Sequence, residues 1–281
     1  MVGVCDVNFA QAQTVAAELN VKAIANYKDL IGQVDAVTIA ATTSAHYELS
    51  KFFLENGVHV NVEKPMTTTI AQGRELCELA AKKNLKLQVG FVERFNPALI
   101  SAQEKFKKPL FIECHRLAPF KPRGVDVNVV LDLMIHDLDV ILSLVKSEPV
   151  KVEAVGTPVL TKTIDIANAR IEFASGAVAN VTASRVSQKS QRKFRLFQQN
   201  QYLSIDFGSG EVNLLTKTGE FKNDELPIEA DAWSLEKGDA LLAETKSFVQ
   251  SIVNDTPPVV SGQDGLVALE LAEKVVDKID K

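Results

Sequence analysis

The segment VDAVTIAATTSAHYELSKFFLENGVHVNVEKP, residues 34–65, decides the fold class. Residues 34–41 and 58–62 are short apolar runs typical of buried strands, and a stretch with helical spacing lies between them. A strand–helix–strand unit of this length implies a right-handed crossover between parallel strands. The segment ends in Glu63 and Lys64, two opposite charges placed side by side before a proline.

The same alternation of strands and helices extends on both sides of this segment. Residues 2–5 and 85–92 are further apolar runs, and residues 9–20 and 69–84 have helical periodicity. Near-continuous apolar strands indicate a parallel sheet that is buried on both faces. We therefore predict a doubly wound α/β domain over residues 1–96.

The pattern changes after residue 96. Residues 128–145 predict one helix that is apolar on most sides, and several strand-like runs with short connections follow it. Connections this short cannot carry crossovers, so the second sheet is predicted to be antiparallel. The chain ends in two helical segments, and we predict an α+β domain over residues 97–281.

Composition limits the class of function. The 281-residue chain is 46% apolar and 24% charged, with 36 acids, 31 bases and a net charge of −5. This balance is typical of a globular protein and argues against nucleic-acid binding through bulk charge. The apolar runs are shorter than the ~18–20 residues of a membrane span, and the first residues do not resemble a signal peptide. We expect no membrane partner and a cytoplasmic location.

The three cysteines, Cys5, Cys77 and Cys114, are widely spaced and form no C-x-x-C pair. Neither a zinc site nor a disulfide framework is predicted. Because each thiol lies in an apolar segment, we expect buried, reduced thiols in a reducing compartment.

Asp6 follows the first predicted strand, at the sheet edge where doubly wound folds place their ligands. A carboxylate there can accept hydrogen bonds from both hydroxyls of an adenosine ribose and repels a 2′-phosphate, which favours NAD over NADP. The alternative is a cap for the helix that begins near Phe9. No G-x-G-x-x-G occurs in the chain, although such a turn ordinarily lies about 20 residues before this acid.

The loop AATTSAHYE, residues 40–48, follows a predicted strand. Its small residues, Thr42 and Thr43 among them, let the backbone approach a ligand, and the amides of the next helix attract anionic groups. His46 lies near the start of that helix and could touch a bound cofactor. A capped helix with a surface histidine is the alternative, and the pattern alone does not separate the two.

Lys64 would project its ammonium into the crevice at the end of its strand. There it could donate a hydrogen bond to a substrate hydroxyl or, with a lowered pKa, exchange a proton. Pro65 biases Lys64 towards an extended backbone and so aims the side chain. Glu63 could pair with Lys64 or hold a ribose hydroxyl. The alternative is a solvated ion pair at a strand end, worth less than ~1 kcal/mol.

The segment DLMIHDLD, residues 132–139, carries acids and an imidazole on an otherwise apolar helix. Asp132 and His136 are four residues apart and share a helix face, Asp139 lies near the same stripe, and Asp137 points elsewhere. A carboxylate one turn from an imidazole can orient it and raise its basicity, which suits removal of a hydroxyl proton. Burying such a pair without a purpose is costly, so a functional role is favoured. Metal ligation by Asp132, His136 and Asp139 is the weaker alternative, because no second cluster of ligands stands out.

Taken together, Asp6, the EKP at residues 63–65, GFVERFNP at residues 90–97 and DLMIHDLD resemble the Gfo/Idh/MocA family of oxidoreductases in order and spacing. The resemblance covers nearly the whole chain. It implies an N-terminal Rossmann domain and a C-terminal α+β domain with an open antiparallel sheet. It also implies NAD or NADP as the cofactor, a sugar or sugar derivative as the substrate, and a homodimer or homotetramer formed through the open sheet.

By position, the resemblance implies that Lys64 is the active-site lysine and that Asp132 and His136 are the acid–histidine pair. His136 would accept the hydroxyl proton, while Lys64 would position the nicotinamide and polarise the reacting oxygen. Asp6 would hold the adenosine ribose, and Glu63 would lie near the nicotinamide ribose.

Within the family, VERFNPA and the segment at residues 126–145 are similar to the branch that oxidises the 3-hydroxyl of UDP-N-acetylglucosamine. The resemblance then makes several polar side chains candidates for holding the sugar or its diphosphate: Arg94, Asn96, Arg116, Arg123 and Asp139. Lys121 is a further basic candidate, for which a surface position is favoured. A local basic group in an acidic protein suits an anionic sugar nucleotide.

Two features depart from the family pattern. Thr42 stands where the family often has a proline. The chain also begins at what would be the second strand, so the first strand and its glycine-rich turn, which holds the pyrophosphate, are missing. Such a sheet leaves two interior strands unpaired. We expect a shortened version of a longer protein, and we expect this chain to bind NAD weakly or not at all.

Three functions remain open at this point. The first is an NAD-dependent sugar-nucleotide 3-dehydrogenase, and the second is an inositol, glucose or polyol dehydrogenase. The third is a non-catalytic sensor or scaffold that keeps the fold without the cofactor, which the missing glycine turn supports. The joint presence of Lys64, Asp132 and His136 speaks against the third.

Overall fold

The computed structural model describes residues 1–121, 127–221, 227–236 and 238–279. Within these ranges the chain first alternates strands with helices, as the sequence predicts. The strands are β1 (Gly3–Cys5), β2 (Lys22–Ile24), β3 (Ala36–Ile39), β4 (His59–Glu63) and β5 (Leu87–Gly90). The helices between them are α1 (Phe9–Leu19), α2 (Thr43–Glu55) and α3 (Ile70–Lys83).

These strands form two parallel sheets. β1 pairs with β2, while β3, β4 and β5 form a second sheet in that order, and no strand pairing within the described ranges joins the two. The prediction that residues 2–5 form a buried strand is wrong on one point. The strand is present but partly exposed, and Val2 is 41% exposed, because β1 has a described partner on one edge only.

The second part of the molecule is built on one open, eight-stranded sheet. Its strands are β6 (Pro109–Leu117), β7 (Pro149–Thr157), β8 (Ile166–Phe173), β9 (Val178–Ser184), β10 (Gln191–Gln198), β11 (Gln201–Asp206), β12 (Glu211–Lys217) and β13 (Ile228–Ser234). The order across the sheet is β13-β12-β11-β10-β6-β9-β8-β7.

The prediction of a purely antiparallel sheet needs one correction, because β6 and β9 are parallel. After β6 the chain forms a helix and continues at the far edge with β7. β8 and β9 then return strand by strand, which brings β9 beside β6 in the same direction. The sheet is therefore open and mixed.

The remaining helices are α4 (Pro97–Ser101), α5 (Ile135–Val145), α6 (Ala240–Val253) and α7 (Gly262–Ile279). One face of the eight-stranded sheet is buried beneath α5, and alternate residues such as Ile112 and Phe194 are fully buried there. α7 packs against α3 and β5 in the first part and against α5 and β7 in the second. The domain boundary at residue 96 stays a prediction, since this C-terminal helix contacts both parts.

Among the described helices, none is long and apolar enough to cross a membrane.

The three cysteines are free, and Cys114 is buried as expected. Cys5 and Cys77 are only partly buried, which corrects the prediction for these two thiols. Burial raises the pKa of the Cys114 thiol well above its usual range and that of Cys77 to about 11.

Candidate active site

Lys64 follows β4 and reaches from the first part of the molecule into the second. Its Nζ donates to the backbone carbonyl of Asp132 at 2.5 Å and lies 3.4 Å from Asp132 Oδ1. The side chain is 17% exposed, and the Lys64–Pro65 peptide bond is cis. Burial lowers the pKa of the Lys64 ammonium, and the Asp132 carboxylate opposes this shift. A lysine in this environment can donate a hydrogen bond and can exchange a proton.

His136 lies in the first turn of α5 and is partly buried. The ring stands edge-on to Phe91, with the ring centres 6.0 Å apart. Burial lowers the pKa of the imidazole well below 6.5, and the positive charges of Lys64, Arg116 and Arg192 add to the shift. His136 is therefore neutral near pH 7 and able to accept a proton.

The predicted pairing of Asp132 with His136 is not formed. The Asp132 carboxylate lies beside the Lys64 ammonium, and Nδ1 of His136 is buried without a hydrogen-bond partner among the described residues. Two local features account for this. Val130–Met134 forms a π-helical turn ahead of α5, and the opposite charge of Lys64 attracts the carboxylate across the cleft. The single helix predicted over residues 128–145 is thus a π turn followed by α5.

The segment before the π turn is held by the loop between β7 and β8 and by Arg185, which follows β9. Val129 donates its backbone N–H to the carbonyl of Ile164, and Arg185 Nη1 donates to the carbonyl of Val127 at 2.7 Å. Arg185 is fixed in turn by Asp165, which is fully buried and accepts a hydrogen bond from Arg185 Nε at 2.7 Å. These contacts fix the start of the turn that carries Asp132.

Arg116, Asp137 and Glu93 form a buried ion network beside His136. The guanidinium donates to both carboxylate oxygens of Asp137, at 2.9 and 2.8 Å, and to Glu93 Oε1 at 2.9 Å. No side chain of the three is more than 5% exposed. The network joins β6, α5 and the 3₁₀ turn after β5. The donors of Arg116, predicted to hold the substrate, are therefore committed to carboxylates of the protein.

Three other predicted substrate residues also have protein partners. Arg94 Nη1 lies 3.2 Å from Asp139 Oδ1, and Asp139 is 2% exposed. Burial raises the pKa of Asp139 to about 7, although Arg94 opposes the shift. Asn96 accepts the backbone N–H of Ala98 at the start of α4 and donates to Glu93 Oε2. The polar groups of these three residues are therefore bonded within the protein.

The two remaining basic candidates lie near one another in the sequence. Arg123 lies outside the described residues. Lys121 is exposed, as its favoured surface position predicts.

The alternative metal site at Asp132, His136 and Asp139 is not formed. Asp132 faces Lys64 while Asp139 pairs with Arg94, and no group of three potential ligands is found in the described part of the chain.

The carboxyl ends of β1 and β3 carry groups that fit a dinucleotide. Asp6 is exposed, and its Oδ1 accepts the backbone N–H of Asn8 at 2.7 Å, while Asn8 and not Asp6 caps α1. Thr42 precedes α2 without a side-chain cap, and the amide of Ala45 donates to the Thr42 carbonyl, so the amides of Thr43 and Ser44 are the ones that can face an anion. An exposed carboxylate and an uncapped helix start suit the ribose and phosphate groups of a dinucleotide.

His46 and Glu63 shape the same edge. His46 is 1% exposed, with Nδ1 2.8 Å from the carbonyl oxygen of Pro65 and Nε2 3.0 Å from that of Ala41. It therefore links the loops after β3 and β4 instead of facing solvent. Glu63 is partly exposed, and a Cβ at Gly90 would lie 3.0 Å from Glu63 Oε2. Glycine at position 90 leaves room for this carboxylate.

Sequence reasoning missed Glu93 and Arg192 and placed Asp137 away from the site. Arg192 Nη1 lies 3.4 Å from Glu93 Oε1, and Glu93 itself is buried. One signal was present in the sequence. Arg192 is in phase with Phe194 and Leu196, which both point to the buried face of β10, so a charged residue at this phase needed an explanation.

Comparisons with known proteins match both parts of the chain. Residues 1–91 match the oxidoreductase family with an NAD-binding Rossmann fold, and residues 111–203 match the GFO/IDH/MocA C-terminal domain. The UDP-N-acetylglucosamine 3-dehydrogenase of Acidithiobacillus ferrooxidans is 37% identical over 276 residues, which are 98% of this chain and 88% of that protein. A solved structure of that enzyme matches with a TM-score of 0.93 at 36% identity. The match covers 100% of this chain and 90% of the chain in that structure.

A second relative acts on a different substrate class. The scyllo-inositol 2-dehydrogenase (NAD(+)) of Bacillus subtilis is 27% identical over 256 residues, which are 85% of this chain and 73% of that protein. The matches confirm the predicted fold class and the resemblance carried by Asp6, Lys64 and the DLMIHDLD segment. The chain therefore belongs to the Gfo/Idh/MocA family of NAD-dependent oxidoreductases.

Proposed function

We propose that the protein oxidises the C3 hydroxyl of UDP-N-acetylglucosamine, or of a related UDP-sugar, with NAD as the cofactor. One observation carries the proposal: Lys64 from the first part contacts Asp132, four residues before His136, and its positive charge helps to lower the pKa of that imidazole. The 37% identical relative that acts on UDP-N-acetylglucosamine supports the choice of substrate.

The proton chemistry is assigned to His136 and Lys64. Because Nδ1 of His136 is buried, we assign Nε2 to the substrate, where it accepts the proton of the reacting hydroxyl. Lys64 Nζ donates a hydrogen bond to the same oxygen, and Asp132 holds the ammonium in place. NAD, when bound, supplies the acceptor for the hydride that leaves C3.

The cofactor is assigned to the edge formed by the ends of β1, β3 and β4. Asp6 would bind the adenosine ribose, and its negative charge favours NAD over NADP. Thr42 and Thr43 would face the phosphates at the start of α2, and Glu63 would bind the nicotinamide ribose. His46 would act indirectly, because its ring is occupied by two carbonyl groups of the loops it joins.

The candidates for substrate binding are assigned a supporting role. Arg94 and Asp139 pair with each other, and Asn96 and Arg116 both contact Glu93. We propose that these side chains hold the walls of the substrate pocket. Because these side chains already form hydrogen bonds within the protein, we assign direct contact with the sugar nucleotide to other groups.

Variants of the two reacting residues test the assignment. Lys64→Ala and His136→Ala should each lower kcat by roughly 10²–10⁴-fold, the usual contribution of acid–base groups. Far-UV circular dichroism should show an unchanged fold. Lys151→Ala, at an exposed ion pair on β7, is the matched control and should keep the wild-type rate. Wild-type turnover in both test variants would contradict the assignment.

The second candidate function is oxidation of a free inositol, sugar or polyol. The 27% identical inositol dehydrogenase is the observation that favours it. Measuring NADH formation with UDP-sugars and with free sugars separates the two candidates. A higher kcat/KM for a free inositol than for every UDP-sugar would replace the proposed substrate.

We also propose a homodimer or homotetramer formed through the open face of the eight-stranded sheet, in the cytoplasm. This face carries partly exposed side chains such as His115, Lys193 and Arg195 on strands long enough to pack against a second copy. The free thiols suit a reducing compartment. Light scattering that gives the mass of a single chain would contradict the oligomer.

A further inference from the structure

We propose that Arg192 binds the diphosphate of the sugar-nucleotide substrate and thereby distinguishes this substrate from a free sugar. The inference rests on the proposed function, because it needs a substrate with an anionic group beside the reacting sugar. It adds a specificity residue that the family resemblance did not single out.

Arg192 lies directly opposite another arginine. It pairs in register with Arg116 on the neighbouring strand, and both side chains point to the face of the sheet that packs on α5. Like charges opposite each other on adjacent strands are destabilising. Glu93 offsets the repulsion, since its Oε1 lies 2.9 Å from Arg116 Nη1 and 3.4 Å from Arg192 Nη1. Two adjacent guanidinium groups therefore share one buried carboxylate.

The two arginines differ in exposure and in the use of their donors. Arg116 is 5% exposed, and Nε, Nη1 and Nη2 all donate to carboxylates. Arg192 is 54% exposed, and its described side-chain partner is the single 3.4 Å contact with Glu93. Its remaining donors have no described partner. A planar guanidinium with unused donors is suited to bidentate binding of a phosphate.

The position of Arg192 is that of a binding group beside the reaction centre. Glu93 links it to Arg116, which holds Asp137, the residue after His136. The positive charge of Arg192 also contributes to the lowered pKa of His136, as expected for a nearby cation. A sugar nucleotide needs this arrangement, with a cation for the diphosphate close to the group that takes the proton.

The other cations described around His136 are already neutralised. Lys64 pairs with Asp132, and Arg116 lies between two carboxylates. Glu93 is shared between both arginines, so its charge is not available to Arg192 alone. Arg192 is thus the exposed cation, in the described part of this site, whose charge is least compensated.

Binding of UDP and of uridine to the full chain, measured by calorimetry without NAD, tests the inference. The wild-type protein should bind UDP more tightly than uridine. Arg192→Gln should lower the affinity for UDP by about 10- to 100-fold, as expected for loss of charge-assisted hydrogen bonds, and leave that for uridine unchanged. Arg192→Lys should retain part of the affinity. The matched control is Arg74→Gln, a 59% exposed arginine on α3 that pairs with Glu270, and it should bind UDP as the wild type does.

Each failure has a distinct meaning. Wild-type affinity for UDP in Arg192→Gln would overturn the role of Arg192 and leave the proposed function intact. Equal affinity of the wild type for UDP and uridine would also overturn the role of Arg192. If the wild type then oxidises free sugars and not UDP-N-acetylglucosamine, the substrate in the proposed function is also wrong.

Discussion

Replacement of Asp137 by Asn should greatly lower the stability of the protein while hardly changing the shape of the side chain. Arg116 donates to both oxygens of Asp137, at 2.9 and 2.8 Å. In Asp137→Asn one of these oxygens becomes an NH₂ group that faces an N–H donor. The guanidinium remains 5% exposed and loses one of its two buried carboxylates.

The size of the loss follows from the burial of the pair. Removal of one partner of a buried ion pair costs about 3–5 kcal/mol, because the remaining charge stays buried without compensation. Glu93 continues to contact Arg116, so we expect the lower end, about 3 kcal/mol. Each kcal/mol lowers the Tm by ~2–4 °C in domains of ~150–250 residues, which predicts a decrease of about 6–12 °C.

Thermal unfolding followed by circular dichroism measures this decrease. The control is Glu153→Gln, which removes an exposed ion pair with Lys151 at 2.9 Å and should cost less than ~1 kcal/mol. The triple variant Arg116→Met, Asp137→Leu and Glu93→Gln removes all three buried charges and should recover much of the loss. A Tm of Asp137→Asn equal to that of Glu153→Gln would refute the reasoning.

Three further predictions concern pH. Because burial and nearby cations lower the pKa of His136 below 6.5, kcat/KM should stay constant through pH 6.5 and fall only at lower pH; a pH–rate profile with a higher acid limb would contradict this. Burial raises the pKa of Glu244 from 4.5 to about 7, so folding stability should fall as pH rises through this window, by up to about 3 kcal/mol. The free energy of unfolding of Glu244→Gln, measured with urea, should not show this decrease with rising pH. At Asp165 burial alone would raise the pKa, but hydrogen bonds from Thr161, Val159 and Arg185 outweigh it and lower the pKa. That stabilisation is present above pH 3.8 and is lost as pH falls, so Asp165→Asn should unfold more readily than the wild type at neutral pH, with a smaller difference in acid.

Strands β6 to β12 of the second sheet were predictable because a strand with one buried face repeats every two residues, whereas β13, which is exposed along most of its length, was not predicted. The parallel pairing of β6 with β9 could not be predicted from the sequence. It depends on where the chain returns after α5 has carried it to the far edge of the sheet, and no local pattern encodes that return. The partial exposure of β1 is of the same kind, since it is set by which strands lie beside it.

The site shows the same division between local and tertiary information. The family resemblance singled out Lys64, which its tripeptide alone did not, while His136 was noticeable as a titratable group on an apolar helix; the roles of both stay predictions. The charge partner of Asp132 could not be predicted from the sequence. Helical spacing points to His136, whereas the closest opposite charge is Lys64, from the other part of the chain. Arg192 was missed because an arginine at the start of a strand is typical of a surface, and its register with Arg116 exists only once the strands have paired.

The charges around His136 also bear on how a base with so low a pKa can act. Cations on three elements, Lys64, Arg116 and Arg192, keep the free imidazole neutral, and burial has the largest effect. A diphosphate bound at Arg192 would bring negative charge next to them, which favours the protonated imidazole and raises its pKa. The base would become stronger once the substrate is bound. The acid limb of kcat, which reports the enzyme–substrate complex, should then lie at higher pH than that of kcat/KM, which reports the free enzyme. Coincident limbs for UDP-N-acetylglucosamine would mean that the substrate brings no negative charge near His136.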